Sequence, residues 1–467
     1  MEYLSIHEMS EKWNIKERKL TSLCREDRIS GARKLGKEWV IPSDAIKPLD
    51  KRTKEFEKYK IELEEVNTSI PYSISNIDEK ITNYFIEKYN EKPMYTSFTP
   101  YKICPIGAHV DHNLGCITGF AIDKGIHITY TINNNGIIEI ESLQLKKRTQ
   151  WHILNTPSSK LNDWADPLRG ATIELNNRYP LRYGISAIID GELPIGGLSS
   201  SSSLLITFIN ALAFINNIKL DEVELMEISE FAERNYLGIE NGKLNQMCEI
   251  YSKKDKLLYV DTFDNSYKLI DTPKNMKYVI GIFFSGIDKG IDSDQYNKRT
   301  DELRSAAYLL KALNNDEYSR FNKTNMREIP YEVYLKYKSK LPINFQKRAE
   351  HFYSEQERVK EGIKAYMNGN IELFGKLVTE SGESSINSWE TGSEEMKKLF
   401  EIIKSCDGVY GTRFSGSGFK GSCLAFIEPK KVDKVLDNVK EKYISAYPHL
   451  SNKYSAHICN TADGIKL

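Results

Sequence analysis

Leu193-Pro194-Ile195-Gly196-Gly197-Leu198 is followed by five consecutive serines, Ser199 to Ser203, and then by an apolar run from Leu204. Where a glycine turn opens a helix, unpaired backbone N–H groups and the positive end of the dipole favour an anion, above all phosphate. Side chains there must be small to let it approach. Serine hydroxyls add donors and an oxygen of the kind Mg2+ takes as a ligand. The same run would also serve as a helix cap or a linker. A second segment, Pro100 to Gly115, sets His109, Asp111 and His112 between Gly107 and Gly115 and between two apolar runs, so it reads as a functional loop rather than core. Its H-x-D-H pattern holds metal-ligand types but lacks a spaced third ligand. A third segment, Gly408 to Cys423, carries Gly411, Gly416, Gly418 and Gly421, which fits a turn around a ligand or a tight bend.

The elements around these segments follow from periodicity. Ile185, Ala187 and Ile189 alternate as a strand leading into the serine run, and Leu205, Ile209 and Leu212 recur at helical spacing after it. No G-x-x-x-x-G-K-[ST] loop and no H-E-x-x-H pair occurs, which argues against a Walker-type nucleotidase and a zincin. The 467 residues divide into two to four domains at ordinary domain sizes. Lys plus Arg (65) balances Asp plus Glu (65), so no global field draws the chain to nucleic acid or membrane. Seven scattered cysteines without a C-x-x-C pair do not read as a disulfide framework. The acidic residues Glu2, Glu8 and Glu11 replace the apolar run of a secretory signal, and Leu204 to Ile215 is too short to span a bilayer. A soluble, cytoplasmic protein without a membrane partner is expected.

Residues 1–50 differ in character. Ser5 and Glu8 make a capping-box pattern, Lys16 to Glu26 forms a second short helix, and Ala32 to Leu35, a Gly36-Lys37 turn and Glu38 to Ile41 read as a hairpin ended by Pro42. The order L-S-I-H-E-M-S-E-K-W and then R-I-S-G-A-R-K-L-G-K-E-W-V-I-P resembles the excisionase-like and MerR-like winged helix-turn-helix domains. That resemblance implies DNA as a partner, with Arg18, Lys19, Arg25, Arg33, Lys34 and Lys37 as contacts. Twelve Lys/Arg against nine Asp/Glu in residues 1–52 is a modest excess, and a packing or protein-interaction module is the alternative. Residues 51–75, rich in Lys and Glu, read as a helical or flexible linker.

Taken in order, P-Y-K-I-C-P-I-G-A-H-V-D-H, L-P-I-G-G-L-S-S-S and G-V-Y-G-T-R-F-S-G-S-G-F-K-G resemble the three motifs of the GHMP small-molecule kinases, specifically the galactokinase branch and its galacturonokinase-like group. The stretch from Ser381 to Gly392 resembles a fourth pattern of that group. The resemblance implies an α+β fold of two lobes, residues 76–270 (ribosomal-protein-S5-like) and 271–467, and ATP- and Mg2+-dependent phosphorylation of a monosaccharide at its anomeric hydroxyl. It further implies ATP contacts at Gly196, Gly197, Leu198, Ser199, Ser200, Ser201, Ser202, Gly416, Ser417 and Gly418. Ser201 and Glu233 would hold Mg2+, and Ala108, His109, Asp111 and Tyr296 would face the sugar.

Two departures stand out. The family's catalytic Asp in G-x-x-x-G-x-x-D-Q is Asn245 here, in Gly238 to Gln246, and its Arg partner is Lys102. Losing a general base typically costs ~10² to 10⁴ in rate, so a sugar- or nucleotide-sensing regulator with a weak kinase fold is the alternative function. Position 108 is Glu in galactokinases and Ala here. A carboxylate ~4 Å from a sugar carboxylate would cost roughly 4 kcal/mol at an effective dielectric near 20, so Ala108 favours a uronic acid or a pentose over galactose.

Overall fold

In the computed structural model, which describes residues 3–25, 29, 32–36, 38–43, 64–65, 77–287, 293–317, 320–418 and 421–466, a small unit comes first. It comprises β1 (Tyr3–Ser5), α1 (Ile6–Trp13), α2 (Glu17–Arg25), β2 (Arg33–Leu35) and β3 (Glu38–Pro42). The reciprocal Ser5–Glu8 cap starts α1, and left-handed Asn14 ends it. The apolar faces of both helices bury Met9, Trp13, Leu20 and Leu23 with Ile41 in a core of their own. The sequence pattern did not reveal β1, which pairs antiparallel with β3 to give the order β1-β3-β2. Arg18, Lys19, Arg25, Arg33 and Lys34 are exposed. The Arg33 guanidinium lies 4.2 Å from the centroid of the Tyr3 ring. Lys37 lies outside the described residues, as does the 51–75 linker except for β4 (Glu64–Glu65).

The first lobe contains α3 (Ile77–Tyr89), β5 (Tyr95–Ile103), β6 (Cys116–Asn133), β7 (Ile137–Ser142), β8 (Lys147–His152), α4 (Asp166–Arg178), β9 (Gly184–Gly191), α5 (Ser200–Ile215), α6 (Glu222–Glu230), α7 (Leu244–Tyr251), β10 (Lys256–Asp261) and β11 (Ser266–Asp271). The long β6 strand organises the sheet β11-β10-β6-β9-β7-β8-β4, with β5 also paired to β6. Every residue of β9 is buried, as its alternating Ile and Ala on one face and the covering helices require. Helix α5 is apolar nearly all round and runs through the lobe's core.

The second lobe contains β12 (Val279–Phe284), α8 (Ser293–Asn314), α9 (Tyr331–Tyr337), α10 (Ile343–Met367), α11 (Ile371–Asn387), α12 (Glu394–Lys404), β13 (Val409–Phe414), β14 (Ser422–Ile427), α13 (Val432–Ala446) and β15 (Ser455–Cys459). Its sheet order is β13-β14-β12-β15. The chain then crosses back: β16 (Thr461–Ala462) pairs with Ile122 and Ala121 of β6, and the Ile465 amide donates to the Glu249 carbonyl at 2.8 Å. The boundary expected at 270/271 therefore does not divide the sheets cleanly, because residues 461–465 belong to the first lobe's packing. One apolar core runs through both lobes, from Ile103 and Leu205 to Val359 and Phe374. All seven cysteines are free. Among the described residues no helix is long and apolar enough to cross a membrane.

Candidate active site

Leaving β9, the chain turns at Gly196 (φ 134°) and Gly197 (φ 81°), and Ser199 (φ 58°) opens α5 with no side-chain cap. The first helical bonds run from the amides of Ser202 and Ser203 to the Ser199 carbonyl, which leaves the amides of Ser200 and Ser201 ahead of the hydrogen-bonded turn. The glycines are required by a close backbone approach from the other lobe. A Cβ on Gly421 would lie 2.6 Å from the carbonyl carbon of Gly196, and one on Gly416 2.9 Å from the Cα of Gly197. The Ser422 hydroxyl donates to the Gly196 carbonyl at 3.3 Å.

This corner opens into a cavity of about 600 Å³ between the lobes. Lys102, Ala108, His109, Asp111, Gly197, Ser199, Ser201, Glu233, Asn245, Tyr296, Gly416 and Ser417 all line it. Gly196, Leu198, Ser200, Ser202 and Gly418 do not. Leu198 is buried in the apolar core, and the Ser202 hydroxyl points away from the cavity to donate to Glu249 at 2.6 Å, so any contact of these two with a phosphate would run through their backbone.

Helix α7 presents Asn245 to the serine run, and the Ser199 hydroxyl donates to Asn245 Oδ1 at 2.9 Å. Glu233 lies in a π-helical turn, Phe231–Tyr236, of the sort that recurs at functional sites. Its Oε2 accepts from Asn241 at 2.7 Å and from Gln246 at 2.6 Å. Burial raises its pKa, and those two bonds work in the opposite direction. Ser201 and Glu233 line the same cavity, a hydroxyl and a carboxylate suited to a hard cation that takes its other ligands from phosphate. Among the described residues no cluster of three His, Cys, Asp or Glu could hold a metal unaided.

The His109–Asp111 segment is more buried than a loop reading implies, because the second lobe closes over it. His109, left-handed at φ 62°, stacks on Trp389 with centroids 5.5 Å apart and planes 7° from parallel. Burial, with His351 and Arg413 nearby, holds its pKa well below the usual value, so the ring is neutral, and among the described residues its Nε2 has no hydrogen-bond partner. Asp111 Oδ2 accepts from the Leu244 amide at 3.1 Å, and burial, which opposes ionisation, is outweighed by His112, Leu244 and Lys102. Beneath, Glu355 accepts from the Gly107 amide at 2.6 Å and from Ser381, while Arg413 donates to Ser381 at 2.5 Å and Ser385 at 3.2 Å. Tyr296 closes the far side, its ring edge-on to His112.

Sequence reasoning missed several residues here. Trp164 lines the cavity with an indole N–H that has no partner among the described residues, carried on a loop fixed by the paired Arg169–Asp163 and Arg169–Asp166 bridges at 2.8 and 2.6 Å. Trp389 and His351 shape the wall around His109. Glu249 is fully buried. Its signal was readable as a lone acid among Met247, Cys248 and Ile250 on a short apolar helix.

Two family descriptions match the chain: "GHMP kinases N terminal domain" over residues 166–253 and "GHMP kinases C terminal" over residues 360–445. A galacturonokinase of Arabidopsis thaliana is 32% identical over 394 residues, covering 79% of this chain and 92% of that protein. A galactokinase of Clostridium perfringens is 28% identical over 381 residues, covering 80% and 96%. The structure of Lactococcus lactis galactokinase complexed with galactose superposes with a TM-score of 0.75 at 22% identity, covering 84% of this chain and 99% of that one.

Proposed function

The chain belongs to the GHMP kinases, on the branch of the galactokinases and galacturonokinase, and from that premise we propose that it transfers the γ-phosphoryl group of ATP to the anomeric hydroxyl of a monosaccharide, giving a sugar 1-phosphate and ADP. The observation that carries this reading is the single cavity joining the uncapped start of α5 to His109 and Asp111. The serine run would take the phosphates on amides and hydroxyls. Ser201 and Glu233 would hold Mg2+, which supplies charge neutralisation to the phosphates when bound. His109, neutral with a free Nε2, and ionised Asp111 can hydrogen-bond sugar hydroxyls and so orient the acceptor.

At the reacting end stand Lys102 and Asn245. Asn245 cannot take a proton, and its oxygen is already engaged by Ser199, so its NH2 is a donor. A loose phosphoryl-transfer transition state depends chiefly on positioning and charge neutralisation, which these two donors supply. The relatives named above are kinases, and the sensing alternative draws no support from them. A uronic acid, galacturonate foremost, is the acceptor we favour: Ala108 lines the cavity and adds no carboxylate there. Coupled ADP-release assays over galacturonate, glucuronate, galactose and arabinose test the reading. Turnover of none of them would defeat the kinase assignment, and a higher kcat/KM for galactose than for galacturonate would defeat the uronate preference.

For residues 3–43 we propose a winged helix-turn-helix that contacts DNA. Two short helices about a tight turn, an antiparallel hairpin and the exposed Arg18, Lys19, Arg25, Arg33 and Lys34 support it. Salt-dependent mobility shift by the full chain, weakened in Arg18→Ala and Lys19→Ala, is the expected result. Binding that ignores both salt and these changes would leave a protein-interaction module. Seven free thiols fit a reducing cytoplasm.

A further inference from the structure

Glu249 lies one helical turn beyond Asn245 on α7, fully buried behind the cavity wall rather than lining it. Its Oε2 is 2.6 Å from the Ser202 hydroxyl and its Oε1 2.9 Å from the Ser203 hydroxyl. Ser203 Oγ is also 3.1 Å from the carbonyl of Pro100, two residues before Lys102 on β5. Three elements therefore converge on one carboxyl group: α7 with Asn245, α5 with the serine run and β5 with Lys102.

We propose that Glu249, as an uncharged carboxylic acid, is the positioning residue that fixes the phosphate-binding serine run against Lys102 and Asn245. The hydrogen count favours the extra proton. The Ser203 hydroxyl has one hydrogen and faces three acceptors, Glu249 Oε1 at 2.9 Å, the Pro100 carbonyl at 3.1 Å and, more distant at 3.4 Å, the Ser199 carbonyl, which already takes the amides of Ser202 and Ser203. With the proton on Oε1, Glu249 donates to Ser203, Ser203 donates to Pro100, and Ser202 donates to Oε2, so each group is satisfied. With an ionised Glu249, the buried Pro100 carbonyl forfeits this bond, and a full charge sits desolvated beneath the phosphate site. The charged groups acting on Glu249 are Lys102 on β5 and Glu233 in the π-helical turn. Burial dominates and drives its pKa well above the usual range, in the same direction as the hydrogen count.

The role rests on the kinase reading for its consequence, so ADP affinity by calorimetry is measured beside turnover in the full chain. Glutamine keeps the acceptor for Ser202 and a donor toward Ser203 without a negative charge, with one N–H to spare, whereas leucine keeps neither. Glu249→Gln is expected to keep ADP affinity and KM for ATP within about threefold of wild type. Glu249→Leu should weaken both by about tenfold or more, with KM for the sugar changed less than about twofold. A glutamine variant as weak as the leucine variant would mean that the negative charge is what matters and would overturn the proposal, as would a leucine variant that binds like wild type. If the leucine variant does not fold, Ser203→Ala breaks the same chain at its middle; ADP binding equal to wild type there overturns the proposal. A protein that shows this order of affinities yet turns over no sugar would sink the kinase assignment and leave Glu249's role standing.

Discussion

The hydroxyl of Ser199 donates to Asn245 Oδ1 across 2.9 Å, joining the residue that opens α5 to the residue that stands where the family resemblance implies an Asp. The bond fixes the amide, so its NH2 is the half left for the cavity. In Asn245→Asp the Ser199 bond survives and a second carboxylate oxygen takes the place of the NH2. We expect kcat to rise by ~10² with KM for ATP little changed, measured by coupled ADP release. An unchanged kcat would show that proton removal does not limit this active site.

Ala108 lines the cavity, and on the proposed function we expect it to set which acceptor charge is tolerated. Ala108→Glu returns a carboxylate to the cavity wall, and a like charge on the sugar at ~4 Å costs roughly 4 kcal/mol at an effective dielectric near 20. The kcat/KM for galacturonate should fall by roughly 10² to 10³, while that for galactose holds or rises. Equal losses on both sugars would locate the effect in packing around the His351–Ala108 hydrogen bond instead.

Gly421→Ala tests the backbone contact between the lobes. At φ 104°, with the Gly196 carbonyl carbon 2.6 Å from a new Cβ, the loop must yield. Stability should drop by about 1–3 kcal/mol, with KM for ATP rising more than KM for the sugar. Chemical denaturation and steady-state kinetics read the two effects separately.

Acid should loosen the floor of the cavity. Burial opposes ionisation of Glu355, yet Arg358, His351 and Arg413 with the Ser381 hydrogen bond bring its pKa down from 4.5 to about 2. A carboxylate depressed in the folded state contributes stability that is complete above 4.5 and is lost as pH falls from 4.5 to about 2, on the order of 3 kcal/mol. His351, pushed down by burial to about 4, adds a separate loss between 6.5 and 4. Glu355→Gln should be less stable at neutral pH and should lack the lower of these two declines in a pH series of unfolding curves.

Local signals in the sequence were sufficient for much of this site. The serine run after a glycine turn, the Gly238–Gln246 stretch that carries Asn245 and the His109–Asp111 segment each announce themselves through neighbours in the chain, and the structure gathers them around one cavity. What stayed hidden depends on contacts between distant parts of the chain. Nothing near His109 foretells its stacking on Trp389, 280 positions later, and the serine pattern does not say which hydroxyls turn inward to Glu249. Gly416 and Gly421 were read as a turn around a ligand or a tight bend, and the sequence did not say that their tightest neighbours are the backbone of Gly196 and Gly197. Strand β1 was invisible because its partner, β3, lies beyond two helices.

Residues 461–465 pair with β6 and meet the carbonyl end of α7. During synthesis the ribosome delivers β6 and the Asn245 helix more than two hundred residues before the segment that seals them, so the first lobe emerges with an open seam. It must wait for the whole second lobe to be translated before its own sheet is complete, and in that interval Ala121 and Ile122, in the gap along β6 between β10 and β9, lack their strand partners in β16.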